Sequence, residues 1–202
     1  MGMHSILAAV GLVALLGAAS AVVFPTAQQT EIMNVHNNFR SNLSKGTYKA
    51  KDGTVFAKAT NMRQMVWNST LATKASAYAN TYPGLKHSGA AGVGENLYIV
   101  WGGRLNGLGA AGSNAWANEF YTYGPVGYTF SSNTGHATQM AWATTTAVGC
   151  GYQYCTRDKS YFVVCNYWPP GNYIGQKAYE QGTTCSKCPT GTKCTLATGL
   201  CA

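Results

Sequence analysis

The chain has 202 residues, a formal net charge of +8, 46% hydrophobic residues and only 10% charged residues. The hydrophobic fraction is normal for a globular protein and excludes a disordered chain, and the low charge content excludes a coiled coil. The basic residues are scattered singly between Arg40 and Lys193. Nucleic-acid surfaces need clustered lysines and arginines, so no nucleic-acid partner is expected.

The N-terminal segment is typical of an export signal. Ile6–Ala19 is an uninterrupted run of apolar and small residues, too short to span a membrane. Ala19-Ser20-Ala21 resembles a signal peptidase site, so we expect a signal peptide over residues 1–21 and a secreted mature chain from Val22. A buried apolar helix is the alternative, but it is uncommon at an extreme N-terminus. No later stretch reaches spanning length, so no stable membrane insertion is expected.

Cysteine usage agrees with secretion, because the seven cysteines of a chain in an oxidising compartment should mostly form disulfides. Four of them lie in the last eighteen residues: Cys185, Cys188, Cys194 and Cys201. This tail is poor in apolar residues, so its order should come from two disulfides, and spacing alone leaves three pairings open. Sequons at Asn42 and Asn68 permit N-glycosylation.

Periodic apolar patterns predict helices at Glu31–Lys45, capped by Thr30, at Ser69–Tyr82, around Ala115–Phe120 and at Thr134–Trp142.

Two later segments, Val148–Tyr154 and Ser160–Tyr167, are rich in Val, Tyr, Phe and Cys and flank a polar turn, which predicts a β-hairpin. Cys155 and Cys165 are positioned to cross-link it. Helices on both sides of these strands favour an α+β fold, with helices packed on a small antiparallel sheet.

Few residues are candidates for catalysis or metal binding, since the predicted mature chain has three histidines and six carboxylates. None has the short-range spacing of a metal site such as H-E-x-x-H. Glu95 follows a Gly-rich turn, Glu119 lies on an aromatic-rich predicted helix, and His87 and His136 lie beside predicted helix ends. The residues alone leave open whether these four converge.

Four segments together resemble the CAP superfamily of cysteine-rich secretory proteins, antigen 5 and plant pathogenesis-related proteins. They are His36–Arg40, Gly94–Leu97, Gly135–Trp142 and Phe162–Tyr173. The resemblance spans about Ala27–Ala178, and the cysteine-rich tail resembles nematode venom allergen-like, or sperm-coating-type, proteins. It implies a three-layer α-β-α sandwich over residues 22–180 and a hinge-like, disulfide-rich tail over 181–202.

The resemblance also implies an open cleft lined by His87, Glu95, Glu119 and His136. Family members can hold a divalent cation, often zinc, between the two histidines, and neutral imidazoles are good zinc ligands. Two protein ligands are fewer than the three of ordinary catalytic zinc, so binding should be weak, exchangeable and lost when the histidines protonate. No cofactor is expected to be obligatory. Ala137 stands where the family usually has an aromatic residue, which should widen one wall of the cleft.

The disulfide pattern is likewise implied by the resemblance. It pairs Cys155–Cys165, Cys185–Cys194 and Cys188–Cys201. Tyr82 stands where the family often has a cysteine, so Cys150 is left unpaired, and its apolar strand neighbours predict a buried thiol.

An aromatic pattern that the family links to sterol binding is matched by Tyr121, Tyr123 and Tyr128. A mobile loop of flat, amphipathic rings can cover an apolar ligand, but a Gly-Pro turn with its rings packed on the sheet is an equal alternative. The family is also associated with fatty-acid binding between parallel helices, in a groove that the sequence does not locate.

The sequence therefore favours a secreted, non-enzymatic binding protein for a sterol or fatty acid, with an extracellular or immunomodulatory role. A scaffold that binds an extracellular protein receptor is the alternative. A metal-dependent hydrolase is the third interpretation, with Glu95 or Glu119 as general base on a zinc-bound water. Ser88 beside His87 lacks the G-x-S-x-G context of a nucleophile.

Overall fold

A computed structural model describes residues 22–202, so the predicted signal peptide lies outside the described residues. The centre of the fold is a four-stranded sheet in the order β1-β3-β4-β2. Its strands are β1 (Val66–Trp67), β2 (Gly94–Trp101), β3 (Ala147–Cys155) and β4 (Ser160–Trp168). The hairpin of β3 and β4 is antiparallel, β2 pairs antiparallel with β4, and β1 pairs parallel with β3.

Helices cover both faces of this sheet. They are α1 (Thr26–Lys45), α2 (Ser69–Ala79), α3 (Leu108–Tyr123) and α4 (Gly135–Ala141), with a short 3-10 helix at Val126–Tyr128. α2 packs on β3 and β4, and α1, α3 and α4 pack on one another across the opposite face. The three-layer α-β-α sandwich is therefore confirmed. Across residues 22–202, every helix is too short or too polar to cross a bilayer.

The side chains of β4 alternate between the two faces of the sheet and so contribute to two hydrophobic cores. Phe162 and Val164 pack under α2 with Leu97, whereas Val163 and Tyr167 belong to the larger core on the other face. Successive side chains of a strand point to opposite faces, so one apolar strand serves both helix layers.

Two glycines let α2 lie directly on β3. A Cβ atom at Gly149 would meet the backbone nitrogen of Ala72, and one at Gly151 would meet Ser76. The backbone of α2 thus occupies the space that side chains of β3 would otherwise fill.

The first helix begins earlier than predicted, at Thr26 rather than Glu31. Pro25 takes the N-cap position, and the hydroxyl of Thr30 donates to the Thr26 carbonyl within the helix. α2 ends at Ala79, short of the predicted Tyr82.

The predicted disulfide between Cys155 and Cys165 is wrong. Cys150 lies directly opposite Cys165 across the hairpin, with Cα atoms 4.1 Å apart, and the two form the disulfide. Cys155 lies opposite Ser160, five residues and roughly 16 Å of strand away from Cys165. Bridged Cα atoms must lie within about 7 Å of each other. Cys155 is therefore the free cysteine, half-buried, and the prediction of an unpaired thiol at Cys150 is also wrong.

The two tail disulfides, Cys185–Cys194 and Cys188–Cys201, are confirmed. They hold a two-stranded sheet of β5 (Cys194–Thr195) and β6 (Leu200–Cys201). The tail also docks on the domain, because Leu200 is fully buried in the main core and the hydroxyl of Ser44 donates to the Gly199 carbonyl. Disulfides are thus not its sole source of order.

A buried arginine ties α1 to α4, to the chain that follows it and to the segment before β1. The Arg40 guanidinium donates five hydrogen bonds of 2.7–3.1 Å to main-chain carbonyls. The acceptors belong to Arg63, Met140, Trp142, Ala143 and Thr145. Burial is the main cause that lowers the pKa of Arg40 to about 9. Its partners are carbonyl dipoles, and no carboxylate within residues 22–202 forms a salt bridge with it.

Candidate functional site

The structure arranges the four predicted cleft residues as two histidine–glutamate pairs. His87 lies in the loop after α2, and its Nδ1 is 2.8 Å from Oε1 of Glu95, the second residue of β2. His136 is the second residue of α4, and its Nδ1 is 2.6 Å from Oε1 of Glu119 on α3. Each histidine thus has one carboxylate partner from a different element.

Both pairs use the same hydrogen-bond pattern. The glutamate accepts one bond from the histidine ring and one from the backbone N–H of the residue after the histidine. These N–H groups belong to Ser88 and Ala137, and lie 2.8 and 2.9 Å from the carboxylate oxygens. An ionised carboxylate accepts only, so Nδ1 of each ring carries the proton. In its neutral form, each ring therefore presents the lone pair of Nε2.

The outer pair (His87 and Glu95) and the inner pair (His136 and Glu119) differ in the exposure of the histidine and in how the carboxylates are used. The side chains of His87 and Glu95 are 62% and 7% exposed, and those of His136 and Glu119 are 36% and 19% exposed. Glu119 gives one oxygen to each donor, whereas Glu95 uses Oε1 for both. Oε2 of Glu95 is buried and has no partner among the described residues. It is an acceptor that water, a cation or a ligand N–H can satisfy.

The outer pair shifts both of its pKa values toward the ionised forms. The hydrogen bond with Glu95 raises the pKa of His87, and the smaller effect of burial opposes it. Burial acts against ionisation of Glu95, but hydrogen bonds from His87 and Ser88 outweigh burial and lower the pKa of Glu95. The pair is therefore favoured as an ion pair at mildly acidic pH.

Trp116 and Asn96 hold His136 from two sides. The Trp116 ring stacks on the His136 ring, with centroids 6.1 Å apart and planes 17° apart, and its Nε1 donates to the Leu97 carbonyl. Nδ2 of Asn96 donates to the His136 carbonyl at 3.2 Å. Neither residue was predicted from the sequence to have a role, although both lie one to three residues from a cleft glutamate.

Asn96 also joins the cleft to a buried network. Its Nδ2 donates to the Tyr167 hydroxyl at 3.2 Å, and that hydroxyl is 2.9 Å from Nε2 of His36. Nδ1 of His36 donates to the Ile32 carbonyl at 2.8 Å. Burial lowers the pKa of His36 to about 4, so this ring is neutral and accepts from the tyrosine. His36 thus supports the cleft from the core.

Ala137 does not widen the cleft wall, contrary to the sequence prediction. Its side chain is fully buried in the main core, and only its backbone N–H faces Glu119. A cavity of about 240 Å³ lies instead beside His87, and Glu95 and Gln139 contribute to its wall.

The donor set fits a weakly held divalent cation. Histidines that bind a metal typically donate their other ring N–H to a carboxylate, as both of these do. In the part of the chain that the structure describes, the one group of three candidate ligands with donor atoms within 4.8 Å of one another is Cys185, Cys188 and Cys201. Those sulfurs are already in disulfides. Among the described residues, neither histidine therefore belongs to a group of three convergent ligands.

The aromatic pattern does not form a single mobile loop. Tyr121 and Tyr123 lie in the last turn of α3, and Tyr128 lies in the 3-10 helix. The Tyr128 hydroxyl accepts from the Ala57 N–H, and its ring packs edge-on against Phe56. The first two tyrosines are 45% and 54% exposed and line different cavities.

A groove of about 530 Å³ lies between α1 and α3. Each helix presents to it a stripe with the spacing i, i+3, i+4, i+7. The stripes are Val35, Asn38, Phe39 and Asn42 from α1, and Asn114, Ala117, Asn118 and Tyr121 from α3. The buried Phe39 and Ala117 form the floor, and the four asparagines are exposed along the walls.

Residues 33–167 match the CAP family, described as the cysteine-rich secretory protein family, and the chain belongs to this family. It is 32% identical over 188 residues to peptidase inhibitor 16 from Bos taurus, which covers 89% of this chain and 38% of that protein. It is 34% identical over 183 residues to Ancylostoma secreted protein from Ancylostoma caninum, which covers 84% of this chain and 42% of that protein. The chain thus spans less than half the length of these relatives.

Two solved structures share the fold. Na-ASP-1 superposes with a TM-score of 0.80 at 30% identity, over 93% of this chain and 50% of that one. NaASP2, solved with Zn2+, has a TM-score of 0.80 at 30% identity, over 89% of this chain and 97% of that one. Together with the Ancylostoma relative, they confirm the resemblance to nematode venom allergen-like proteins.

Proposed function

We propose that this chain is an extracellular binding protein whose cleft holds an exchangeable divalent cation, with zinc the first candidate, between His87 and His136. The repeated pairing of Nδ1 with a glutamate carries this proposal, because it fixes both rings in the tautomer that presents Nε2 to a metal. A relative with 30% identity was solved with Zn2+, which supports the choice of metal. Relatives named as secreted and venom proteins support the extracellular location.

The test is a zinc titration by calorimetry on the secreted protein, on His87→Ala and on His136→Ala. Each histidine variant should bind about tenfold more weakly or worse, since outer-shell changes alone typically cost 10- to 100-fold in affinity. Glu180→Gln is the matched control, because Glu180 pairs with Lys187 in the exposed tail. Unchanged affinity in both histidine variants would refute the site.

Binding is favoured over metal-dependent hydrolysis by the ligands and the bases that the cleft offers. Catalytic zinc usually has three protein ligands and one water. Each oxygen of Glu119 already accepts one N–H, so Glu119 is the less available base. Glu95 keeps one oxygen without a partner among the described residues, so Glu95→Gln tests hydrolysis: metal-dependent cleavage that disappears in this variant would favour the enzyme.

A second function is favoured by the apolar side chains that surround the end of α3. Tyr121, Tyr123, Val126 and Phe130 are 45%, 54%, 44% and 40% exposed within ten residues of chain. Exposed apolar side chains concentrated in one segment are typical of binding sites, and tyrosine rings suit ligands that are flat and mostly apolar. This segment is the proposed site for a sterol or a fatty acid.

Saturable sterol binding should be lost in the Tyr121→Ala/Tyr123→Ala double variant and retained in Tyr154→Ala. Tyr154 is a matched control because it is 39% exposed on β3, away from this segment. Absence of sterol and fatty-acid binding by the folded protein would refute the lipid site and favour recognition of an extracellular protein receptor.

A further inference from the structure

We propose that the groove between α1 and α3 is the seat of an N-linked glycan attached to Asn42, with its proximal N-acetylglucosamine packed between the two helices. The proposal is independent of cation binding, and it shares one residue, Tyr121, with the proposed sterol site. It rests on the position of the sequon, on the free amide of Asn42 and on the chemistry of the groove.

The attachment atom is available. Asn42 begins the sequon Asn42-Leu43-Ser44, is exposed near the end of α1 and lines the groove. Its Oδ1 accepts from the Thr47 hydroxyl at 3.2 Å, and its Nδ2, the atom that carries a glycan, has no partner among the described residues. The Ser44 hydroxyl is buried against the Gly199 carbonyl, so attachment must precede folding.

The walls of the groove suit a hydroxylated ligand. An asparagine amide both donates and accepts, which matches sugar hydroxyls and an acetamido group. The side chains of Asn38 and Asn114 make no hydrogen bond within residues 22–202 and are free for such contacts. An acyl chain in the same place would leave these amides against hydrocarbon without partners, which is unfavourable.

The floor and one end suit the apolar parts of the same sugar. Phe39 and Ala117 are buried beneath the walls, where a sugar C–H face or an acetamido methyl can pack. Tyr121 lines the groove with an exposed ring. The volume of about 530 Å³ is within the usual range for small-molecule sites and exceeds the needs of one monosaccharide.

The second sequon provides an internal comparison. Asn68 is the N-cap of α2, and its Oδ1 accepts from the Leu71 N–H at 3.0 Å. It lies on the layer opposite to α1 and α3, so a glycan there is remote from the groove. Removal of either sequon abolishes the glycan at that asparagine, but only removal of the sequon at Asn42 should uncover the groove.

The experiment uses the full chain secreted from eukaryotic cells, with glycopeptide mass spectrometry to measure occupancy at Asn42. Nitration of Tyr121 by tetranitromethane measures whether the groove is covered, and Tyr123, which faces another cavity, is the internal reference. Tyr121 should be nitrated several-fold faster in Asn42→Gln than in the wild type, and at the wild-type rate in Asn68→Gln. The rate at Tyr123 should not change.

An Asn114→Ala/Asn118→Ala variant separates seating from mere attachment. It keeps the sequon but removes wall amides, so occupancy at Asn42 should persist while nitration of Tyr121 accelerates. Trimming of the wild-type glycan to one N-acetylglucosamine gives the same test without a mutation, and Tyr121 should stay protected. An unmodified Asn42, or equal nitration of Tyr121 with and without the glycan, would overturn the proposal.

Discussion

The two histidine–glutamate pairs share one hydrogen-bond pattern but are held in place differently. His136 lies on a helix, stacks on Trp116 and is tied through Asn96 to a buried network. His87 lies in a loop, is 62% exposed and depends on its bond to Glu95. Packing therefore fixes the inner ring, whereas a single carboxylate holds the outer one. We expect the His136 side to act as a rigid ligand and the His87 side as an adjustable one.

The largest expected effect comes from Glu119→Gln, which removes an acceptor that the inner pair cannot replace. Both oxygens of Glu119 face N–H donors, so the new NH2 group must oppose either the Ala137 N–H or the His136 ring. If the ring changes tautomer to accept, its Nε2 gains the proton and no longer binds a metal. We expect a loss of about 1–3 kcal/mol in the free energy of unfolding, measured in urea, and zinc affinity about 10- to 100-fold lower.

Glu95→Gln is the matched control for this prediction. Its NH2 group can replace the unpartnered Oε2 while the remaining oxygen keeps the bonds from His87 and Ser88. Because these bonds are kept, the losses of stability and zinc affinity should be clearly smaller than in Glu119→Gln. Equal losses in the two variants would show that the two pairs depend on their glutamates in the same way, which would contradict this prediction.

An intermediate effect is expected for Asn96→Ala. This change leaves the His136 carbonyl and the Tyr167 hydroxyl without a buried donor, which should cost about 1–2 kcal/mol of unfolding free energy. In proton NMR, the ring resonances of His136 should move and those of His87 should not. Asn133→Ala, an exposed site just before α4, is the control. A shift confined to His87 would contradict the proposed support.

The smallest effect is the pH dependence of the outer pair, because His87 is largely exposed. The pKa of His87 is raised above 6.5, so its contribution is full below that pH and is lost as pH rises through the folded-state pKa. The pKa of Glu95 is lowered below 4.5, so its contribution is present above that pH and is lost on further acidification. In chelator, the difference in melting temperature between wild type and His87→Ala should therefore peak between about pH 4.5 and 6.5. A flat difference would mean that the ion pair adds no stability.

The sequence predicted the elements whose signals are local. The stripe of α1 and the run of β-branched and aromatic residues in β3 and β4 are periodic within one element, so they needed no tertiary information. β2 was missed because it directly follows a Gly-rich turn, and its strand conformation comes from residue-by-residue pairing with β4. The Cys150–Cys165 disulfide was missed because the cross-strand register decides which cysteines face each other.

The cleft residues were found through the family resemblance, because His87, Glu95, Glu119 and His136 are separated by other elements and show no local motif. Their geometry was not predictable. The repeated contact with the following backbone N–H and the unpartnered Oε2 of Glu95 depend on how α3, α4 and β2 meet. Ala137 illustrates the limit, since a family substitution in sequence does not reveal whether the position faces the cleft or the core.

The hydrogen bonds of Arg40 also imply an order in which α1 can dock on the rest of the domain during synthesis. Four of its five carbonyl acceptors lie 100 to 105 residues later in the chain. Until that segment has formed, burial of the guanidinium has a high desolvation cost, because no carboxylate among the described residues pairs with it. A nascent chain emerges from its N-terminus, so α1 stays undocked at the ribosome until residues near Thr145 are available. We therefore expect the helix that is synthesised first to be among the last to be buried, because its arginine needs acceptors from the second half of the domain.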